Sequence, residues 1–163
     1  MPMHFAMKAA AQCAIFFCTA AVWAGDNAVP PAVDTIFARK TVMNTINGSM
    51  DEIEAMLAPG AKIESAEARE HADLISVLLM TFPHLFPSET NQWKEGAALD
   101  PAADTYAAPD LWQHFPDFYA RATKASKIAQ EASRAPNRAE FQARVFELRA
   151  ACNGCHAVYQ KAE

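Results

Sequence analysis

The chain has 163 residues, of which 52% are hydrophobic, and its 14 basic and 19 acidic side chains give a net charge of −5. This length fits a single domain with a core of ordinary size, and a mildly acidic surface favours solubility and suits a basic protein partner. No run of Lys or Arg is present, so we expect binding neither to nucleic acid nor to anionic membrane surfaces.

The first 24 residues have the layout of a secretory signal peptide. Lys8 precedes an apolar stretch over residues 9–21, and Ala24 supplies a small residue directly before the expected cleavage site. Even counted to Ala24, the apolar run is about 16 residues long, whereas a membrane-spanning helix needs ~20. We therefore predict that the signal peptide is removed and that residues 25–163 form one exported domain in the periplasm, without a membrane anchor.

The first predicted helix follows Pro30-Pro31 and ends at about Ala58, because Pro59-Gly60 stops it. Arg39 lies one heptad before Ile46, on the apolar seam of this helix. A cation on such a seam is costly unless it has a partner, so Arg39 is a candidate functional residue. The apolar residues that form the seam for antiparallel packing are Ile36, Met43, Ile46, Met50, Ile53 and Leu57.

The middle of the chain holds two further predicted helices and a long connection between them. The second helix covers about residues 65–82 and ends at Pro83. Residues 83–108 contain three prolines and look irregular, and a connection of this length usually crosses an end of the domain or covers a site. The third helix begins at Pro109-Asp110, and we expect Pro116 to kink its first turns.

The fourth predicted helix begins at Asn137, where Glu140 forms an analogue of the capping box. Four helices with short first and third connections predict an all-α fold, an antiparallel up-down-up-down four-helix bundle. The apolar stripe of the fourth helix continues at spacings of three and four to the end of the chain, through Phe141, Val145, Leu148, Cys152, Cys155 and Tyr159.

The segment Cys152-Asn153-Gly154-Cys155-His156 has the spacing by which proteins attach c-type haem. In a helix, both thiols and the imidazole lie on one face. Each thiol then adds across one vinyl group to form a thioether, and His156 reaches the iron axially. Because this motif continues the apolar stripe, we predict one covalently bound haem c per chain, held in the core between the helices.

Three other kinds of site use a similar cysteine spacing. A Cys-x-x-Cys redox centre expects a strand before it and a long helix after it, whereas helical sequence precedes this motif and seven residues follow His156. A structural zinc site needs about four ligands, and the remaining cysteines, Cys13 and Cys18, lie in the predicted signal peptide. An unmodified disulfide between Cys152 and Cys155 stays open, since an oxidising compartment permits it.

In this arrangement the chain resembles the cytochrome c′ family, the class II c-type cytochromes, over the whole of residues 25–163. Arg39-Lys40-Thr41-Val42-Met43 is similar to the signature of the family's first helix, and Phe82-Pro83-His84-Leu85-Phe86-Pro87-Ser88 is similar to the turn after its second helix. Pro109-Asp110-Leu111-Trp112 is similar to the opening of the family's third helix, and Tyr159 matches the aromatic residue that follows the haem motif.

This resemblance implies a role for each of five residues. Cys152 and Cys155 would be the thioether sites, and His156 would be the proximal haem iron ligand. Arg39 would face a haem propionate, which would also supply the partner that its position on the seam requires. Met43, one turn later, would stand over the distal face of the iron as a candidate second axial ligand.

The other candidate ligands are expected in ordinary roles. Met50 is expected to fill the core, as thioethers commonly do between helices. His71, His84 and His114 flank or leave the apolar stripes, so we expect them to be solvated and not bound to iron. Gln160 departs from the family pattern, which commonly has Arg or Lys there, and this weakens the comparison with gas-binding relatives.

These observations predict a periplasmic one-electron carrier that works with redox partner proteins and is not an enzyme. The alternative is a five-coordinate haem protein that binds nitric oxide or carbon monoxide as a sensor or scavenger; a third is a haem subunit docked to a larger oxidoreductase. The choice depends on whether Met43 ligates the iron. The resemblance also implies a homodimer through the first two helices, where Leu74 and Leu78 widen the apolar face.

Overall fold

The computed structural model describes residues 31–62, 65–93 and 106–161. Within these ranges the chain forms the helices α1 (Ala32–Leu57), α2 (Ser65–Thr81), α3 (Asp110–Gln113), α4 (Phe115–Ser133) and α5 (Arg138–Tyr159). None of the helices in these ranges is both long enough and apolar enough to cross a membrane. The predicted signal peptide, residues 1–24, lies outside the described residues.

The four long helices form the predicted antiparallel bundle. Helix α2 packs against α1 on one side and α4 on the other, and α4 packs against α5. Small side chains on α2 and α4, such as Ala72 and Ala129, are fully buried and let these two helices approach closely. The predicted four-helix bundle is therefore confirmed. The large residues of its main core include Ile46, Met50, Ile53, Ile75, Val145 and Leu148.

The third predicted helix is broken where the sequence predicted a kink. Helix α3 ends at Gln113, His114 leaves helical geometry, and α4 begins at Phe115 with Pro116 in its first turn. Proline is well accommodated at that position because the first N–H groups of a helix have no partner inside the helix. Pro116 thus begins a new helix, so the disturbance predicted for the first turns is present, as a break at His114 and not only a kink.

The described parts of the long connection after α2 cross one end of the bundle, as predicted. We call residues 82–93 the crossover segment; it contains two short 3-10 turns, Phe82–Leu85 and Ser88–Thr90. Trp93 Nε1 donates a hydrogen bond of 2.8 Å to the carbonyl oxygen of Ala107. Residues 94–105 lie outside the described part of the chain.

The last turn of α5 is fastened to the end of this connection. The backbone N–H of Ala108 donates to the carbonyl oxygen of Tyr159 at 2.8 Å, and that of Lys161 donates to Tyr106 at 2.7 Å. These bonds flank an isolated antiparallel bridge between Ala107 and Gln160. The connection therefore holds the chain directly after the Cys-x-x-Cys-His motif.

Helix α5 begins as the sequence predicts and carries the motif within its regular part. Asn137 Oδ1 accepts a hydrogen bond of 3.0 Å from the backbone N–H of Glu140, and its Nδ2 donates to the Glu140 carboxylate at 2.9 Å. This pair confirms the predicted cap. Because helical geometry continues to Tyr159, the motif is presented by a helix and not by a loop.

Candidate haem site

A cavity of about 460 Å³ lies between α1, α4, α5 and the crossover segment. Its wall includes all five residues singled out in the sequence: Arg39, Met43, Cys152, Cys155 and His156. The volume falls within the range of about 300–1,000 Å³ typical of ligand pockets. The structure thus brings together residues that are more than a hundred positions apart in the chain.

The cavity lies where two apolar clusters meet. The main core of the bundle borders it on one side, and a second, largely aromatic cluster borders it on the other. Met43 contacts both clusters, whereas Cys152 packs against the main core and Cys155 against the aromatic cluster. The buried residues of the aromatic cluster are Phe82, Phe86, Leu111, Phe118 and Tyr159.

Helix α5 contributes two thiols and an imidazole from a single face. Cys152 and Cys155 are free, half-buried thiols, and burial raises the pKa of Cys152 and that of Cys155, the latter to about 11. Burial, reinforced by the nearby Arg149, lowers the pKa of His156. The neutral imidazole, which is the form that ligates metals, is therefore favoured at neutral pH.

Helix α1 contributes a buried cation, Arg39, of which 3% is exposed. Its Nη1 donates a hydrogen bond of 3.0 Å to Thr90 Oγ1, and its guanidinium carbon lies 4.6 Å from the ring centre of Phe86 and 5.6 Å from that of Trp112. Burial lowers the pKa of Arg39 to about 10, so the side chain stays charged at neutral pH. Met43 stands one turn further along the same wall.

Helix α4 contributes a residue that the sequence analysis missed, Arg121. Its Nη1 donates to the carbonyl oxygen of Gly154 inside the motif at 3.3 Å, and its Nε forms a 2.7 Å ion pair with Asp117. Tyr159 Oη also donates to Asp117, at 2.6 Å. Hydrogen bonds from Tyr159 and Arg121 lower the pKa of Asp117, while burial and the bond to Asp117 raise the pKa of Tyr159 to about 12.

Arg149 is a second missed residue, and it links α5 to α1 beside the cavity. Its Nε donates to Glu54 at 2.7 Å, and its Nη2 lies 3.8 Å from the Asp51 carboxylate. The hydrogen bond to Glu54 is the main reason why the pKa of Arg149 is raised. Because Arg149 also borders the cavity, the motif has a positively charged neighbour one turn before Cys152.

Met50 lies in the core and the three histidines lie away from the cavity, as expected, but Met50 also borders the cavity. Met50 is 1% exposed and belongs to the main core, although it also borders the cavity. His84 and His114 are exposed and His71 is half-buried; none of the three borders the cavity. Gln160 borders the cavity and is exposed.

These residues fit a haem. A flat apolar cofactor needs an apolar slot, and this cavity has one with two thiols and a neutral imidazole on the same helical face. The carboxylates of haem need a cation, and Arg39 is buried in the wall. Within the described ranges, no group of three or more His, Cys, Asp and Glu side chains is arranged to hold a metal ion directly, as a structural zinc site would require.

Comparison with known proteins agrees with this assignment. The sequence profile of the family described as cytochrome c′ matches residues 34–160. A cytochrome c-556 of Agrobacterium tumefaciens (strain II Chrys) is 35% identical over 127 residues, which cover 75% of this chain and 93% of that protein. A cytochrome c′ of Pararhodospirillum photometricum is 28% identical over 126 residues, which cover 76% of this chain and 93% of that protein.

Solved structures of low sequence identity share the fold. The cytochrome c′ of Shewanella frigidimarina superposes with a TM-score of 0.69 at 21% identity, over 82% of this chain and 99% of that one. The oxidized cytochrome c556 of R. palustris superposes with a TM-score of 0.67 at 18% identity, over 80% and 98%. With a family profile that matches nearly the whole described chain and a relative at 35% identity, the protein belongs to the cytochrome c′ family of haem proteins.

Proposed function

We propose that this protein is a periplasmic monohaem cytochrome that carries single electrons between redox partner proteins and transforms no substrate. The observation that carries the proposal is the position of Met43, whose side chain borders the cavity from α1 while His156 borders it from α5. A haem iron with His and Met as its two axial ligands is the arrangement of electron-transfer cytochromes. The similarity to proteins named cytochrome c-556 and cytochrome c′ supports the haem-protein part of the proposal.

Each of the other site residues has a defined task in this proposal. Cys152 and Cys155 would hold the haem by thioether bonds, and His156 would provide its neutral imidazole to the iron. Arg39 would pair with a propionate. When bound, haem would supply an iron that changes its charge by one electron, and the apolar wall would limit the reorganisation that accompanies this change.

Met43 is favoured as the second axial ligand because of its surroundings. Its neighbours along the wall, such as Ile46, Phe82 and Phe86, are buried and apolar. A thioether is the strongest iron ligand among these side chains, and it raises the reduction potential. If Met43 only fills space, the same apolar wall offers room for a small neutral gas, which is the alternative function.

The first prediction is that the haem is covalent. The denatured holoprotein should keep its chromophore and weigh one haem more than the chain that begins at Gly25. The double substitution Cys152→Ala, Cys155→Ala should release or abolish the haem, whereas Asn153→Ala, at an exposed position of the same motif, should leave it in place. A colourless protein with an intact disulfide between Cys152 and Cys155 would refute this assignment.

The second prediction separates Met43 from Met50, the other methionine on the cavity wall. Met43→Leu removes the sulfur at nearly constant volume, so it should cost less than about 1.5 kcal/mol of stability yet convert the haem from low spin to high spin. Met43→Ala should in addition open the site to rapid carbon monoxide binding. Optical spectra and stopped-flow mixing measure both effects.

Met50→Leu is the matched control for this prediction, and it should leave the spin state unchanged. A high-spin shift in Met50→Leu, with Met43→Leu unaffected, would show that Met50 and not Met43 is the iron ligand. A parent that is already high spin, with no change in either variant, would mean that no thioether ligates the iron, and the gas-binding alternative would replace the carrier.

A further inference from the structure

A buried polar cluster lies where the crossover segment passes over α1, at one end of the cavity. Its central side chains are Arg39, of which 3% is exposed, and Thr90, which is fully buried. Buried charges are costly unless their hydrogen bonds and counter-charges are well arranged. The arrangement around Arg39 is therefore expected to serve a purpose beyond packing.

Thr90 has a fixed hydrogen-bonding direction. Its hydroxyl donates to the carbonyl oxygen of Pro87 at 2.8 Å, so the oxygen is left as the acceptor for Arg39 Nη1 at 3.0 Å. The Pro87 carbonyl also accepts from the backbone N–H of Thr90 at 2.9 Å and from Trp112 Nε1 at 3.3 Å. Pro87 thus ties the hydroxyl of Thr90 and the ring of Trp112 to one backbone atom.

Two aromatic rings lie against the guanidinium of Arg39. Phe86 and Trp112 lie 4.6 Å and 5.6 Å from its central carbon, and the two rings stand at 60° to each other with centres 6.0 Å apart. A guanidinium is a rigid planar fork with five N–H donors. One N–H bonded to Thr90 and contacts with two rings therefore restrict the direction of the other N–H groups of Arg39.

We propose that Thr90 is a positioning residue that acts through Arg39, holding its guanidinium toward a haem carboxylate and thereby raising the reduction potential of the iron. The proposal rests on the proposed function, because it requires the haem to occupy the cavity that Arg39 borders. A fixed guanidinium pairs with a carboxylate through short charge-assisted hydrogen bonds, and hydrogen bonds to groups around a metal centre are among the means by which proteins set its potential.

The direction of the effect follows from charge. A carboxylate near the iron stabilises the ferric state, which carries one positive charge more than the ferrous state. A cation held against that carboxylate offsets its effect and favours reduction. If the guanidinium of Arg39 loses its fixed direction, the carboxylate is less well compensated, and the potential falls.

The test is a double-substitution cycle on the holoprotein, with the reduction potential as the measured quantity. Thr90→Val keeps the shape of the side chain and removes the hydroxyl, so the potential should fall; Thr90→Ser keeps the hydroxyl and should restore the parent value. Arg39→Gln should also lower the potential. In the Arg39→Gln background, Thr90→Val should produce no further shift. If Thr90→Val yields no holoprotein, Trp112→Phe, which removes the indole donor to Pro87 and shortens the ring beside Arg39, goes through the same cycle.

The proposal is overturned if Thr90→Val leaves the potential at the parent value, or if its shift is equally large with Arg39 present and absent. The spectrum of the parent protein is recorded in the same experiment and decides the axial ligands separately. A high-spin parent refutes the carrier function while the cycle still decides the role of Thr90, and a parent without haem refutes both.

Discussion

At the scale of single residues, Asp117 connects α4 to the last turn of α5, directly beside the haem motif. It accepts hydrogen bonds from Tyr159 at 2.6 Å and Arg121 at 2.7 Å, and Arg121 in turn reaches the Gly154 carbonyl inside the motif. An ionised carboxylate accepts such bonds better than a protonated one, which is why its pKa is lowered. Asp117 should therefore help to hold α5 in place at neutral pH.

This connection predicts a pH-dependent stability. Because the pKa of Asp117 is lower in the folded state than its unfolded value of about 3.9, its contribution is fully present above that value and is lost as the pH falls through the folded pKa. Asp117→Asn should lower the melting temperature at neutral pH, and the difference from the parent should shrink in acid. Thermal unfolding at several pH values measures it.

Asp73→Asn, at an exposed position on α2, is the control and should change the melting temperature little. An Asp117→Asn protein as stable as the parent at neutral pH would show that the carboxylate does not support α5.

The residues of the site differ in how far the sequence could predict them. Cys152, Cys155 and His156 belong to one short motif, whose spacing carries the chemistry. The sequence also indicated Arg39, because a cation on the apolar seam of a helix is costly unless it has a partner. Thr90 gave no such signal, because its role depends on a contact with a residue 51 positions away, and only the packing of the crossover segment on α1 creates that contact.

At the scale of secondary-structure elements, the helices with strong caps and stripes and the ends of α1 and α2 were predictable, whereas the full break between α3 and α4 was not. Asn137 and Glu140 predicted the start of α5 correctly, because a cap is an interaction between residues that are close in the sequence. The sequence predicted that Pro116 disturbs the third helix. Whether it kinks or breaks that helix depends on whether the residues before it keep helical geometry. His114 leaves helical geometry instead, and its carbonyl accepts from Asp117 and Phe118 at the start of α4.

The crossover segment is the element that completes the site. The sequence predicted a connection that covers an end of the domain, because its length is unusual for a compact domain. What it does there follows from tertiary contacts: Phe86 and Thr90 surround Arg39, and Trp93 fastens the segment to Ala107. None of these contacts leaves a periodic signal in the sequence.

At the scale of the whole molecule, α1 and α2 present an apolar surface away from the cavity. Phe37 on α1 is 71% exposed, and Leu74 and Val77, three residues apart on α2, are 42% and 54% exposed. Leu78, which the sequence analysis grouped with Leu74, packs against the main core instead. We propose that this surface pairs with a second copy of the chain, since large exposed apolar residues on neighbouring helices favour association.

Introducing negative charge into the proposed interface tests whether the protein is a dimer. Leu74→Glu together with Val77→Glu should convert the protein to a monomer in sedimentation, because burying two carboxylates in an apolar interface is unfavourable. Phe146→Glu, at a position on α5 that is 62% exposed, should leave the dimer intact. Sedimentation of the parent as a monomer at high micromolar concentration would contradict the proposal.

The spin state of the unmutated protein tests the central claim most directly, namely that His156 and Met43 both ligate the haem iron of an electron carrier. The measurement is the optical spectrum of the purified ferric and ferrous protein, followed by exposure to carbon monoxide. We predict low-spin spectra in both oxidation states and slow carbon monoxide uptake, because the thioether of Met43 fills the position that a gas would need. A high-spin ferric spectrum with rapid carbon monoxide binding would contradict the carrier and favour a gas-binding haem protein.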